Sequence, residues 1–264
     1  MSRSLMCFAL LAMGACSGRY PLRTDFDYLG DPDVDASRVQ QLRYVMPETG
    51  ESIPYALYVP AGYDPTRQWP VMVGMMGSGL QYDWLMSIAG VLDAADRHGY
   101  ILVTPLGYLR GSAFGRSSVP ELNRLARRDV EHVLEIVRHA YNTDAARTYL
   151  WGHSAGASSV FYWASQGWGE WSGFGALAPG TDFNVYLDRL ADRQLSPVFV
   201  QIGTADAGHD RVRDAIPAMR AKGIAVRYDE IPDGQHFVWL ESPDHIEGLF
   251  EFFDDIGGRG TAER

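Results

Sequence analysis

Gly152-His153-Ser154-Ala155-Gly156 reads G-x-S-x-G, and its flanks give the pattern a mechanical meaning. Thr148-Tyr149-Leu150-Trp151 before it is a short, β-prone apolar run. Ala157-Ser158-Ser159-Val160-Phe161-Tyr162-Trp163-Ala164 after it suits the start of a helix. A strand that turns sharply into a helix lifts one serine hydroxyl off the end of a sheet. The flanking glycines let the backbone turn without a Cβ clash. The bare pattern also fits a glycine-rich loop with a surface serine. The strand-to-helix setting, with an acid and a histidine further along in the order such a serine needs, favours a nucleophile at Ser154.

Outward from this stretch, short apolar runs alternate with helical patterns. Val39 to Val45 and Ile53 to Val59 read as an antiparallel strand pair, with Tyr55, Leu57 and Val59 in period-2 alternation. Pro70 to Met76 and Ile101-Leu102-Val103 read as buried strands around a helix from Trp84 to His98. A helix from Ser118 carries an S-x-x-E capping box, Ser118 with Glu121, and tolerates Pro120 in its first turn. Leu122, Leu125, Val130, Val133, Leu134 and Val137 fall on one face of it. Strands follow at Phe174 to Leu177, Val198 to Ile202 and Val226 to Ile231. Helices follow at Ala207 to Ala221, kinked or divided by Pro217, and at His245 to Phe253. This alternation predicts an α/β fold: right-handed βαβ units and a mostly parallel central sheet with helices on both faces. Functional loops then gather at the carboxyl ends of the strands.

A serine hydroxyl is a weak nucleophile until a base takes its proton, and a third group must orient that base. Of seven histidines, only His209, His236 and His245 follow a candidate acid after Ser154. His236, in the loop Pro232-Asp233-Gly234-Gln235-His236 after the last strand, is the expected general base. His209 follows the acid too closely to reach over the serine, and His245 suits the start of the last helix. His153 inside the elbow suits packing beneath it. The run Val198 to Asp206 is a buried strand that breaks at Gly203 and then presents a carboxylate, which makes Asp206 the expected acid. An N-cap for the next helix is the competing use of that aspartate. Asp210 and then Asp182 are the reserve acids. A tetrahedral intermediate needs fixed N–H donors. The Ala155 amide supplies one. The loop Gly74 to Gly79 supplies the other, at Ser78 with Gly77 as the alternative.

The 264 residues suit one domain, and the formal charge of −10 argues against a nucleic-acid partner. Residues 1–15 read as a signal peptide. Arg3 gives the positive start, and the apolar run Leu5 to Ala12 is too short to span a bilayer. Met13-Gly14-Ala15-Cys16 resembles a bacterial lipobox with Met13 where leucine is usual, which implies lipidation of Cys16 and a membrane-anchored product. Plain cleavage, giving a secreted or periplasmic protein, is the other outcome. Cys7 and Cys16 are the chain's two cysteines, so the mature domain has no internal disulfide. Residues 16–37 read as a tether rich in Gly, Pro and Asp, 38–256 as the catalytic domain and 257–264 as a tail.

Tyr55 to Tyr63, Gly74 to Gly79, Arg147 to Gly156, Gly203-Thr204-Ala205-Asp206 and Gly234 to Trp239 together resemble the secreted α/β-hydrolase esterases. The nearest group is that of the feruloyl esterases, acetylxylan esterases and polyhydroxybutyrate depolymerases. The resemblance spans about residues 40 to 255. It implies an α/β-hydrolase fold and a serine carboxylesterase with no metal or other cofactor, acting through Ser154, Asp206 and His236. Two departures bear on substrate scope and oxyanion geometry. Met76-Gly77 stands where the family often has His-Gly, and Ala157 where it often has a second glycine after the elbow.

Tyr82, Trp84 and Phe237 are the aromatic residues expected to meet substrate. The Gly107 to Val119 loop is placed to cover the site. With no lipase-type lid insertion, the expected substrates are esters of short or aromatic acyl groups, free or attached to polysaccharide or polyester. A peptidase of the prolyl-oligopeptidase type and a tethered, non-catalytic binding module are the rival readings.

Overall fold

The structure, a computed structural model, describes residues 35, 37–109, 113–180, 185–193 and 195–258. The proposed signal peptide, Cys16, most of the tether, the reserve acid Asp182 and the end of the tail lie outside these residues.

Eight strands form one sheet: β1 (Gln40–Val45), β2 (Ser52–Tyr58), β3 (Trp69–Met75), β4 (Ile101–Pro105), β5 (Thr143–His153), β6 (Gly173–Leu177), β7 (Val198–Gly203) and β8 (Val226–Ile231). Their spatial order is β1-β2-β4-β3-β5-β6-β7-β8. β1 with β2 and β2 with β4 pair antiparallel, and every other neighbouring pair is parallel. The helices are α1 (Val91–His98), α2 (Pro120–Ala140), α3 (Ala155–Gln166), α4 (Leu187–Asp192), α5 (His209–Ala221) and α6 (Asp244–Ile256). Every residue of β3, β4, β6 and β7 is buried, as expected where helices cover both faces of a sheet. The edge strands β1 and β8 instead carry partly exposed polar residues. β5 lies near the middle of the sheet and leads directly into α3, so Ser154 stands at a carboxyl end in the centre of the fold.

Four local expectations need correction. The run Trp84 to His98 is not one helix. A 3-10 turn at Trp84–Ser87 is followed by α1, and the break falls at Gly90 with φ of 71°. A Cβ there would lie 2.4 Å from the Pro243 Cβ, so the backbone passes too close for another residue. The Ser118–Glu121 capping box does not form. Pro120 is the first helical residue, Val119 is the cap, and Glu121 pairs with Arg124. Asn123 caps the entry instead, accepting from the Ser117 amide and donating to its carbonyl, both at 2.8 Å. Helix α5 starts at His209 rather than Ala207 and runs undivided through Pro217. Pro217 and Arg213 are both exposed, so the Arg213 carbonyl that the missing N–H leaves free is on the solvent side of the helix. β5 is longer than its apolar run because its polar first half begins at Thr143.

Candidate active site

The elbow is held by two glycines that have no room for a side chain. A Cβ on Gly156 would fall 1.9 Å from the Met75 carbonyl oxygen, and one on Gly152 2.7 Å from it. The first turn of α3 therefore presses against the end of β3. Ser154 takes φ of 56° and ψ of −119°, a costly region for a side-chain-bearing residue. The surroundings fix it there: its amide donates to the Leu177 carbonyl at 2.9 Å, and its carbonyl accepts from the Ser158 amide at 3.0 Å.

The loops after β7 and β8 deliver the other two groups. Gly203 and Gly234 touch backbone to backbone, with a Gly203 Cβ only 2.1 Å from the Gly234 oxygen. Cross-loop bonds follow from that approach. Ala205 N–H donates to the Gly234 carbonyl at 3.0 Å, and Asp233 N–H to the Thr204 hydroxyl at 2.8 Å. Asp206 and His236 are thereby brought side by side. His236 Nδ1 lies 2.5 Å from Asp206 Oδ2, and His236 Nε2 lies 2.9 Å from Ser154 Oγ. The Asp206 side chain is 5% exposed, and its other oxygen accepts the Gly208 amide at 2.6 Å. A buried carboxylate held by these donors fixes the proton on His236 Nδ1 and leaves Nε2 as the acceptor facing the serine.

Beneath the elbow, His153 is fully buried. Its Nε2 lies 2.8 Å from the His236 backbone carbonyl, which only accepts, so Nε2 carries the proton. Burial pushes the His153 pKa down to about 3, so its ring is neutral. Its Nδ1 has no hydrogen-bond partner among the described residues. Trp84, Phe237 and Trp239 ring His153, with centroids 4.9, 5.3 and 5.4 Å away.

The loop expected to supply a donor lies next to Ser154. The position of a Gly77 Cβ is 3.2 Å from the Ser154 Cβ, so the loop after β3 rests against the elbow. Ser78 and Ala155 line one cleft together with Gly77, Leu106, Leu109 and Phe114. The backbone under Leu106 and Leu109 is held by Asp129, a fully buried carboxylate in α2 that accepts the Tyr108 amide at 2.8 Å and the Tyr44 hydroxyl at 2.6 Å. Burial raises its pKa to about 6.

The remaining candidates separate by their contacts. Asp210 is 79% exposed and pairs with Arg213. His209 bonds Glu230, and His245 donates Nδ1–H to the Val238 carbonyl. Phe237 is half-buried and sits edge-on to His236 at 5.0 Å. Trp84 is 3% exposed and packs on His153, so it supports the elbow and offers almost no surface to a substrate. Tyr82 is half-buried next to Asp83, whose carboxylate accepts from Gln41 in β1. The cap at Asn123, the Asp129 anchor and Arg116, which reaches the Ala155 carbonyl, carry no sequence motif. Among the described residues, no group of three or more His, Cys, Asp or Glu side chains is gathered as metal ligands would be.

Strand order, elbow and loop placement together define an α/β-hydrolase fold. Solved structures similar to this one include esterases, other serine hydrolases and a putative dipeptidyl aminopeptidase IV. A ferulic acid esterase matches with a TM-score of 0.66 at 16% identity, over 83% of this chain and 98% of its own. An S-formylglutathione hydrolase from Staphylococcus aureus matches at 0.66 and 12%, with the same coverage. A ferulic acid esterase from the anaerobic fungus Anaeromyces mucronatus matches at 0.61 and 18%, over 84% of this chain and 91% of its own. No protein-family model matches the sequence. No curated protein matches it either.

Proposed function

We propose that this protein is a serine hydrolase that cleaves carboxylic esters. The observation that carries the reading is the unbroken hydrogen-bonded chain from Ser154 through His236 to Asp206. His236 Nε2 takes the hydroxyl proton as Ser154 Oγ attacks the ester carbonyl. Asp206 stabilises the imidazolium that forms. The tetrahedral oxyanion is held by the amides of Ala155 and Ser78. Collapse breaks the bond to the alcohol, which leaves with the proton from His236. Water, deprotonated by the same imidazole, then attacks the acyl-enzyme and releases the acid.

Short or aromatic acyl groups are the proposed acyl portion, and the Gly77–Ser78 backbone, Leu106, Leu109 and Phe114 line a narrow cleft beside Ala155. Phe237 borders the site beside His236. The activities in the similar structures' names belong to those proteins and lend weight to an ester as substrate.

The test is a panel of p-nitrophenyl, feruloyl, acetyl-xylan and peptide-amide substrates, run with and without EDTA. Ester turnover that persists in EDTA is the expected result. Peptide cleavage without ester cleavage replaces it with a peptidase, and no turnover with an unreactive Ser154 leaves a binding module. The reading extends to location: the product is exported and lipid-anchored through Cys16. Cys16→Ser then moves the protein from the membrane pellet to the soluble fraction, and continued sedimentation with membranes rejects the anchor.

A further inference from the structure

Arg116 follows the turn Ala113–Gly115, which borders the cleft. Its Nη1 donates to the Ala155 carbonyl at 3.4 Å, a long bond to the residue after the nucleophile. The side chain is half-buried, and no carboxylate among the described residues pairs with it. The other partly buried arginines behave differently. Arg38, Arg127, Arg128, Arg147 and Arg227 each hold a carboxylate at 2.6 to 2.9 Å. A chain with 33 acidic residues against 23 basic ones has abundant partners, yet among the described residues none pairs with this guanidinium. A half-buried guanidinium with one long protein bond among the described residues keeps N–H donors available to an anion.

The position of Arg116 is rigid. Ala113 and Phe114 take φ of 48° and 47°, two adjacent non-glycine residues in the left-handed region. Ser159 Oγ donates to the Ala113 carbonyl at 2.7 Å and Trp163 Nε1 to the Phe114 carbonyl at 2.6 Å, which locks them. Gly115, with φ of 97°, lies against Trp168, where a Cβ would meet the indole at 2.8 Å. Backbone strain of this kind persists only where the surroundings over-determine it. Here it fixes both the cleft wall and the root of Arg116. The N-terminus of α3 adds partial positive charge beside the same carbonyl region.

We propose that Arg116 selects esters that carry a carboxylate, which its guanidinium grips by paired hydrogen bonds while Ser154 attacks the ester carbonyl. This rests on the serine-hydrolase reading of Ser154. Neighbouring residues lie ~3.8 Å apart along the chain. A group bonded at Ala155 is therefore within a few bonds' reach of an acyl or alcohol portion held at Ser154. Arginine suits the task because its planar fork matches a carboxylate.

The experiment compares two matched ester pairs. The first is 4-acetoxybenzoate against 4-acetoxybenzamide, with the charge on the alcohol side. The second is p-nitrophenyl hydrogen adipate against methyl p-nitrophenyl adipate, with the charge on the acyl side. The quantity read is the ratio of kcat/KM, charged over neutral, in at least one pair. The wild type gives a ratio of about ten, the scale of one added charge-assisted contact. Raising the salt to 0.5 M lowers that ratio by screening, by about threefold. Arg116→Gln brings it close to one, and Arg116→Lys keeps part of it. Ratios near one for both pairs in the wild type overturn the proposal, as does a preference that survives Arg116→Gln. If all four esters stay intact and a neutral fluorophosphonate leaves Ser154 unmodified, the hydrolase reading itself falls. Labelling of Ser154 without charge preference removes only the role of Arg116.

Discussion

His153 donates its Nε2–H to the backbone carbonyl of His236 at 2.8 Å, so the residue before Ser154 holds the loop that carries His236. The carbonyl only accepts, so His153 carries its proton on Nε2, and burial keeps the ring neutral. His153→Phe keeps the ring volume and removes the donor. It leaves a carbonyl without its partner, at a cost of about 1–3 kcal/mol. The expected outcome is a lower urea midpoint together with slower fluorophosphonate acylation of Ser154. His153→Gln, which keeps a donor, recovers part of the acylation rate. Equal acylation rates in wild type and His153→Phe would show that the bond does not position His236.

Gly203→Ala tests how the acid meets the base. The added methyl lands 2.1 Å from the Gly234 oxygen, so the loops after β7 and β8 must separate. Backbone cannot yield as a flexible side chain does. The expected result is a loss of at least ~1 kcal/mol of stability, as overpacking costs, with a larger fractional loss of kcat than Gly223→Ala produces. Gly223 is the control because nothing lies within 4 Å of its Cβ position, although its φ of 77° adds some strain. Full activity in Gly203→Ala contradicts the close-approach argument.

Much of this site was legible because chain order and loop chemistry speak locally. The apolar runs that become β3, β4, β6 and β7 are continuous because those strands are buried on both faces, and they place the loops at one end. Gly152, Gly156, Gly203 and Gly234 mark backbone approaches that a sequence displays as glycine. What stayed hidden depends on contacts between distant residues. Trp84 reads as an aromatic that meets substrate until His153 is seen packed against it. The Gly90 break shows only when Pro243, over 150 positions later, occupies the space of its side chain. Asn123 reads as an ordinary helix residue until it reaches back to Ser117. Arg116 gives no local signal, because its meaning lies in the Ala155 carbonyl it reaches from another element.

Asp206→Asn discriminates the acid from its reserve. The amide presents the wrong hydrogen-bonding face to Nδ1 and permits the unproductive tautomer, so kcat falls by about 10⁴. Asp210→Asn alters an exposed ion pair with Arg213, and kcat stays within about twofold. Steady-state kinetics on a p-nitrophenyl ester separates the two. A large loss in Asp210→Asn with activity kept in Asp206→Asn exchanges their roles.

Stability also depends on pH through His98. The Asp254 hydrogen bond, with Glu247 on the other nitrogen, raises the His98 pKa above its ordinary value of 6.5. The folded state therefore holds this proton more tightly than the unfolded state. The stabilisation is complete below about pH 6.5 and is lost as pH rises through the folded-state value. His98→Gln lacks it. The gap between wild-type and His98→Gln urea midpoints is therefore widest at about pH 6 and narrows by about pH 9. A gap that widens with pH contradicts the assignment.

The central claim is that Ser154 is activated by His236. Peptide mass mapping after treatment with a fluorophosphonate, on wild type and His236→Gln, tests it most directly. The account predicts one adduct in the wild type, on the peptide containing Ser154, and labelling slowed by about 10³-fold or more in His236→Gln. An adduct on another serine, or labelling of Ser154 at the same rate without the imidazole, would contradict it.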